Sequence, residues 1–484
     1  MPKKISIIGA GLAGLSAGIY LQRDGFETEI FELAPQPGGM CASWKRSGYR
    51  FDGCIQWMVG TRKDEPIYSL YKEVGALADD TGICHAGSIS VQTGGLIYEV
   101  PLALDQFKSF LLGLSACDAS AIEIFCRHIE MIGHSALIPG RPCGAMGFPG
   151  LLRHSRGFIC IVQKYRGKTV YEVVNTFKSD IIRDILTRLM PGDYSAIALF
   201  LMLGTRMTGN AGYPLGGAAD VVRRMEEKYR ALGGRINVNS RVSEIIVVGG
   251  RAMGIRSNGR VYQADGVVAA CDANYTLKKM LRGMYGHPQL DALLAEAPLF
   301  NPLAIVSFGL DRKLGIPFFA ICEPTAGLES APGNRICSYH LRSFDFDDSA
   351  APKDGSSVMV MLDAPLEYWL RLKLDNPAAY KMRKEHLADS VAAELDARYP
   401  GFKDAIAVVD IATPATFIRL TNVYKGSYEG FTPTPSALKT NIRKTLPGLK
   451  AFCLCGQWTT AGGGLCTAIA DGKAAAGLIK KSIR

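Results

Sequence analysis

The opening of the chain constrains its fold most. Ile5-Ser6-Ile7-Ile8 is a short, mostly β-branched run, which suits a strand. It leads into Gly9-Ala10-Gly11-Leu12-Ala13-Gly14 and then into a helical apolar pattern through Leu15, Ile19 and Leu21. Gly25 stops the predicted helix, Thr28 to Phe31 gives a second strand, and Glu32 closes it. Strand, tight turn, helix and strand make a βαβ unit. Gly9 allows the tight turn, Gly11 lets the backbone approach a pyrophosphate, and Gly14 permits close packing of helix on strand. The helix N-terminus, at Leu12 and Ala13, then faces the anion. Glu32 is placed to accept hydrogen bonds from ribose hydroxyls, so an adenosine diphosphate moiety is implied. The Lys3-Lys4 pair before an apolar stretch superficially resembles a signal peptide; the glycines inside the stretch favour the turn-and-helix reading.

The residues after Glu32 indicate which dinucleotide. Pro37-Gly38-Gly39-Met40-Cys41-Ala42-Ser43 comes next, then Gly48-Tyr49-Arg50-Phe51-Asp52-Gly53. A paired-glycine turn succeeded by Gly-Tyr-x-Phe-Asp resembles the flavoprotein superfamily of phytoene-type carotenoid desaturases, carotene isomerases, retinol saturases and amine oxidases. The resemblance implies FAD as cofactor. That superfamily usually carries an arginine after the paired glycines, near the phosphates, where this chain has Met40. Phosphate binding is therefore expected to rest on backbone amides and Ser43.

Two later blocks extend the resemblance. Tyr213-Pro214-Leu215-Gly216-Gly217-Ala218, an apolar-periodic helix from Ala219 to Leu232, and Gly233-Gly234-Arg235-Ile236-Asn237-Val238 look like the superfamily's return to its FAD domain. Alternating segments at Val242, Ile245 to Val248, Ala252 to Ile255 and Val261 to Gln263, separated by Gly249-Gly250 and Asn258-Gly259, read as a meander of short strands. By resemblance, Val242 contacts adenine through its backbone and the Tyr213 segment lies close to the flavin. Near the end, an apolar strand from Leu449 to Cys455 leads through Gly456-Gln457-Trp458-Thr459-Thr460 and Ala461-Gly462-Gly463-Gly464-Leu465 into a helix from Cys466 to Lys480. This mirrors the first turn: glycines admit a ligand, and the helix N-terminus presents about half a positive charge. Gly456, Gln457, Gly464 and Leu465 are the expected flavin contacts.

The resemblance implies an α/β fold: a Rossmann-like FAD-binding domain of the glutathione-reductase type, with a discontinuous α+β cap that binds substrate. Residues 1–79, 206–285 and 426–484 are assigned to the first, and 80–205 and 286–425 to the second. The sequence contains no second βαβ fingerprint for a nicotinamide cofactor. The cap segments are apolar and aromatic, as at Phe107, Phe110, Leu111, Leu112 and Ile197 to Leu203, most of which core packing explains, and Met146 to Leu152 is a candidate membrane-docking loop, with core or an ordinary loop as the plainer reading.

Composition narrows the class. Forty-eight per cent of the 484 residues are hydrophobic and 21% charged, which excludes a disordered chain. The formal charge of +10 is spread along the chain. It gives no special sign of nucleic acid but favours approach to an anionic membrane, at about 1 kcal/mol per suitably placed Lys or Arg. No stretch nears the roughly 20 apolar residues of a membrane span. The 13 cysteines contain no Cys-x-x-Cys pair and read as reduced, so the expected location is cytoplasmic, with peripheral membrane contact left open. The seven histidines show no zinc spacing, and no metal is expected. Cys466, opening the last helix, is a candidate low-pKa thiol, with a small buried hydrophobe as the plainer reading. Arg419, Tyr424 and Tyr428 could orient a headgroup or donate protons. No catalytic acid or base is identified, and oligomeric state is left open. The expected activity is FAD-dependent oxidation or reduction of CH–CH bonds in a hydrophobic isoprenoid or polyene. The alternatives are a redox-neutral carotene-type isomerase, an amine oxidase, and a non-enzymatic prenyl- or lipid-binding protein.

Overall fold

The apolar run at the start of the chain forms strand Lys4–Ile8, the centre of a five-stranded, wholly parallel sheet. Its order is Arg235–Asn237, Glu27–Phe31, Lys4–Ile8, Gly266–Ala269, Phe452–Leu454, so the beginning, middle and end of the chain meet in one sheet. The computed structural model describes residues 2–135, 156–440 and 442–483; Met146 to Leu152 lies outside them. Alternation along the strands splits the sheet between two cores, because successive side chains point to opposite faces. Ile7, Ile30, Val268 and Cys453 join the core that includes Leu15 and Ile19 of helix Leu12–Arg23 and Ile469 of helix Leu465–Ile483. Ile8, Phe31, Val267, Ala269, Phe452 and Leu454 join the core beneath the three-stranded meander Val242–Val248, Arg251–Ser257, Arg260–Gln263. Leu290 and Leu293 of helix Pro288–Glu296 share this second core.

Above the parallel sheet lies a seven-stranded sheet in the order Ile406–Ala412, Leu303–Leu310, Ser356–Asp363, Tyr339–Ser343, Phe319–Cys322, Ser88–Thr93, Leu96–Pro101. It is antiparallel except where Phe319–Cys322 meets Ser88–Thr93. Ala304, Val306 and Phe308 face helices Leu366–Asp375 and Pro377–Arg398 through Trp369, Leu387, Val391 and Leu395. Leu303, Ile305, Phe319, Ile321 and Met361 face the other way, into a cavity. Helices between Leu104 and Met207 close the side, packed through Phe107, Phe125, Phe177 and Phe200. Among the described residues no single helix is long and apolar enough to cross a membrane; Leu104–Leu114 and Ala116–Gly133 pass that test only as a pair bent by 119°.

Candidate functional site

One cavity of about 1500 Å³ runs from the glycine turns of the parallel sheet to the inner face of the seven-stranded sheet. Gly9, Gly11, Leu12, Ala13, Glu32, Gly38, Gly39, Met40, Val242, Gly456, Gln457, Gly464 and Leu465 all line it. Thirteen of the fifteen residues singled out for a cofactor are thus brought together, although they span most of the chain. Gly14 and Ser43 are not among the lining residues. A Cβ on Gly14 would overlap the Gly9 carbonyl oxygen, so this glycine serves the contact of helix on turn, as its position in the motif suggests. The Ser43 hydroxyl donates to the Phe51 carbonyl at 2.9 Å, inside the hairpin Ser43–Arg46 with Tyr49–Asp52. That bond uses the proton of the hydroxyl, so Ser43 does not donate into the cavity.

The backbone at these turns fits a dinucleotide. Helix Leu12–Arg23 begins after Gly11, which makes no side-chain cap, and its first turn holds no acid. The first turn of helix Leu465–Ile483 is likewise without an acid. First-turn amides have no intrahelical partner, so both helix ends offer donors and positive potential to the cavity. A Cβ on Gly11 would meet no protein atom closer than 3.9 Å, and one on Gly464 nothing within 4 Å; these glycines leave room that a ligand backbone can enter. Gly456, at φ +104°, adopts a conformation that favours glycine.

Charge is placed sparingly. Glu32 is buried and accepts from the Ala10 amide at 2.6 Å and the Ala34 amide at 2.8 Å. Burial raises its pKa, and these amides oppose the shift. At the other turn, buried Asp471 accepts from the Gly456 amide at 2.8 Å, from the Thr459 hydroxyl and from Lys444. This network fixes the turn that contains Gln457. Glu429 was not singled out from the sequence. It lies against Gly463, where an added Cβ would collide with its side chain. Burial pushes its carboxyl up to about 7, against the opposing pull of the Gly464 amide. A carboxyl near neutrality at the wall of a cavity is the kind of group that can take up or give a proton. Its sequence signal was slight: an acid between Tyr428 and Gly430, ahead of the glycine turn it supports.

Other expectations resolve less favourably. Tyr428 lines the cavity, but Arg419 is exposed and Tyr424 packs on Trp458, neither of them lining it. Cys466 does line it, half-buried, and burial raises its thiol pKa and outweighs the hydrogen bonds that favour the thiolate, which speaks against the low-pKa thiol. Tyr213 donates to Asp52 at 2.8 Å behind the main cavity and borders a small adjoining pocket. His340 lines the cavity, and burial together with nearby Arg342 lowers its pKa to about 4, keeping it neutral. Among the described residues no group of three or more His, Cys, Asp or Glu could hold a metal ion.

Comparison with known proteins agrees with this geometry. Residues 188–480 match the family model of flavin-containing amine oxidoreductases, and residues 7–74 match that of an NAD(P)-binding Rossmann-like domain. A lycopene-forming phytoene desaturase of Pseudescherichia vulneris is 25% identical, with 100% of both chains covered. Prolycopene isomerase 1 of an Oncidium hybrid cultivar is 24% identical over 87% of this chain and 74% of its own. Among solved structures, an oxidoreductase from Methanosarcina mazei superimposes with a TM-score of 0.65 at 16% identity, over 97% of this chain and 99% of its own.

Proposed function

The chain belongs to the flavin-containing amine oxidoreductase family, and from that premise we propose that it oxidises or reduces CH–CH bonds of a hydrophobic isoprenoid or polyene, as a desaturase or saturase. Its cofactor is FAD. The observation that carries the proposal is the cavity: beyond the glycine turns its walls are largely apolar, with Ile197, Leu201, Met202, Leu303, Ile305, Phe319, Ile321 and Met361 among them. Such a wall gains by burying hydrocarbon, at about 25 cal/mol per Å², and gives a small polar substrate few partners. The names of the relatives, phytoene desaturase and prolycopene isomerase, support the same substrate class.

In this reading residues 1–79, 206–285 and 426–484 bind FAD, and 80–205 with 286–425 form the cap. FAD, when bound, supplies the acceptor or donor of a hydride. Gly9, Gly11, Leu12, Ala13, Gly38, Gly39 and Met40 would surround its pyrophosphate through backbone donors, Glu32 would accept from its ribose, and Val242 would lie at its adenine. Gly456, Gln457, Gly464 and Leu465 would lie along its flavin end. Helix Leu465–Ile483 would then point its positive end at the pyrimidine ring and favour negative charge there. Glu429 is the group placed to accept or return a proton beside this turn, and the apolar wall keeps water from the reacting carbons. An apolar substrate of this kind resides in membranes, and peripheral contact with an anionic surface is in keeping with the net charge of +10.

The test is an absorption spectrum of the purified protein, then anaerobic addition of phytoene and, separately, of a primary amine. Flavin bleaching with a lengthened polyene chromophore is the expected result for a desaturase. Return of chemically reduced enzyme to oxidised flavin on adding a polyene marks a saturase, and cis–trans conversion without net redox change marks the isomerase. Bleaching by the amine alone, with hydrogen peroxide formed on admitting air, overturns the proposal.

A further inference from the structure

The cavity carries a cation without a counter-charge. Arg206, in the last turn of helix Ala196–Met207, is only 8% exposed and lines the cavity wall. Among the described residues no carboxylate pairs with it and no acceptor takes a hydrogen bond from its guanidinium, which lies instead over the ring of Trp57, 4.9 Å away.

The surrounding charges do not balance it. Arg50 pairs with Asp347. Asp52 is committed to the Tyr213 hydroxyl and the amides of Cys54, Ile55 and Ala218, and its field acts on Arg342. Arg342 is itself fully buried, lies over the rings of Tyr213 and Phe344, and leaves Nε and Nη2 unpartnered. The charged neighbour felt by Arg206 is this second arginine, which repels it; with burial it lowers the Arg206 pKa to about 10, still well above neutrality. Three guanidiniums thus share two buried carboxylates. Burying an unpaired charge is costly, and a cation–π contact together with a helix C-terminus offsets only part of that cost. A protein selected only for a hydrocarbon-filled cavity has no use for such a cost.

We propose that Arg206, with Gln56 and Trp57 beside it, binds a carboxylate at one end of the apolar substrate, so that the substrate is an amphipathic isoprenoid or polyene acid. Gln56, Trp57 and Arg206 line both the main cavity and a small adjoining pocket, which gives a headgroup a defined place. A guanidinium fork matches a carboxylate through paired N–H donors. Arg342, set behind, adds positive potential without reaching the ligand. A diphosphate would bring more negative charge than this site meets. The cofactor's phosphates belong elsewhere: the glycine turns that would hold them pack against Ala270, Gly38 and Gly39, whereas the neighbours of Arg206 are Trp57 and an arginine of the seven-stranded sheet. This inference rests on the apolar-substrate reading.

Calorimetric titration of the holoenzyme with retinoic acid, methyl retinoate and farnesyl diphosphate tests it, using wild type, Arg206→Met and Arg206→Lys. The wild type is expected to prefer the acid to its ester by about tenfold or more, the value of one charge-assisted contact. Arg206→Met should bind both equally, retain FAD by its absorption spectrum, and melt no lower than wild type, since it removes an unpaired buried charge; Arg206→Lys should keep part of the preference. Equal binding of acid and ester by the wild type overturns the carboxylate site and leaves the apolar-substrate reading standing. Failure of all three ligands to bind overturns that reading as well. Tighter binding of the diphosphate than of the acid overturns the carboxylate assignment, and loss of FAD from Arg206→Met would show that the arginine serves the cofactor.

Discussion

At the scale of single residues, Glu429 and the turn glycines make the sharpest predictions. A group that transfers protons contributes about 10²- to 10⁴-fold to rate, so Glu429→Gln should lower turnover by that order while the FAD spectrum persists. Unchanged turnover over a full pH profile would remove Glu429 from the chemistry. The same carboxyl leaves a mark on stability. Its folded pKa, about 7, lies above its unfolded value, so the folded state holds the extra proton between them and stability falls as pH rises through that window. Glu429→Gln should therefore gain in melting temperature relative to wild type between pH 5 and pH 8, and an unchanged difference would place the carboxyl in water. Gly11→Val should abolish FAD occupancy, because the added branch projects into the open space beside Gly38 and Gly39, the space proposed for the pyrophosphate. Glu32→Ala should weaken occupancy less, since it removes the proposed ribose acceptors and frees the Ala10 and Ala34 amides; full occupancy of Gly11→Val, read from absorbance at saturating FAD, would refute the phosphate assignment.

At the scale of elements, the two helices that open at the glycine turns of the cavity are held in register by one another. Gly472 of helix Leu465–Ile483 faces helix Leu12–Arg23 so closely that a Cβ would overlap the Ala13 carbonyl oxygen. Gly472→Ala should push the helices apart, costing about 1–3 kcal/mol, as overpacking does, and should weaken FAD retention although the residue lies beyond the turns themselves. Normal retention with a normal melting temperature would mean that the helix ends need no such register. These elements were legible because their signals are local: β-branched run, glycine spacing, helical period and a closing acid all fall within 32 residues. The seven-stranded sheet was not legible. Leu303–Leu310 is buried at every position, so it shows no alternation, and its partners lie at Ser356–Asp363 and Ile406–Ala412, a register that no short-range pattern states. Glu429 and Arg206 were missed for the same reason. A glutamate beside a tyrosine and an arginine ending an apolar helix look ordinary until the fold removes their water and their partners.

At the scale of the whole molecule, the parallel sheet cannot form without strands from both ends of the chain, and its upper core is continuous with the seven-stranded sheet. Ile7 and Ile30 of the former belong to one buried cluster with Ile305, Phe319 and Met359 of the latter. The proposed substrate cap and cofactor platform should then unfold together despite the length of the chain, which by itself would favour separate transitions. FAD, which in the proposed reading spans turns from residue 9 to residue 465 along the cavity wall, should stabilise that single unit. At free FAD about 100 times its dissociation constant, the linkage contribution is about 2.7 kcal/mol. Calorimetry of apoprotein with and without FAD should show one transition that moves upward as a whole, with no movement in Gly11→Val. Two separated transitions, only one of which responds to FAD, would mean that the shared core is too weak to couple the cap to the platform, and the position of the substrate over the flavin would then have to be set by ligand binding instead of by the fold.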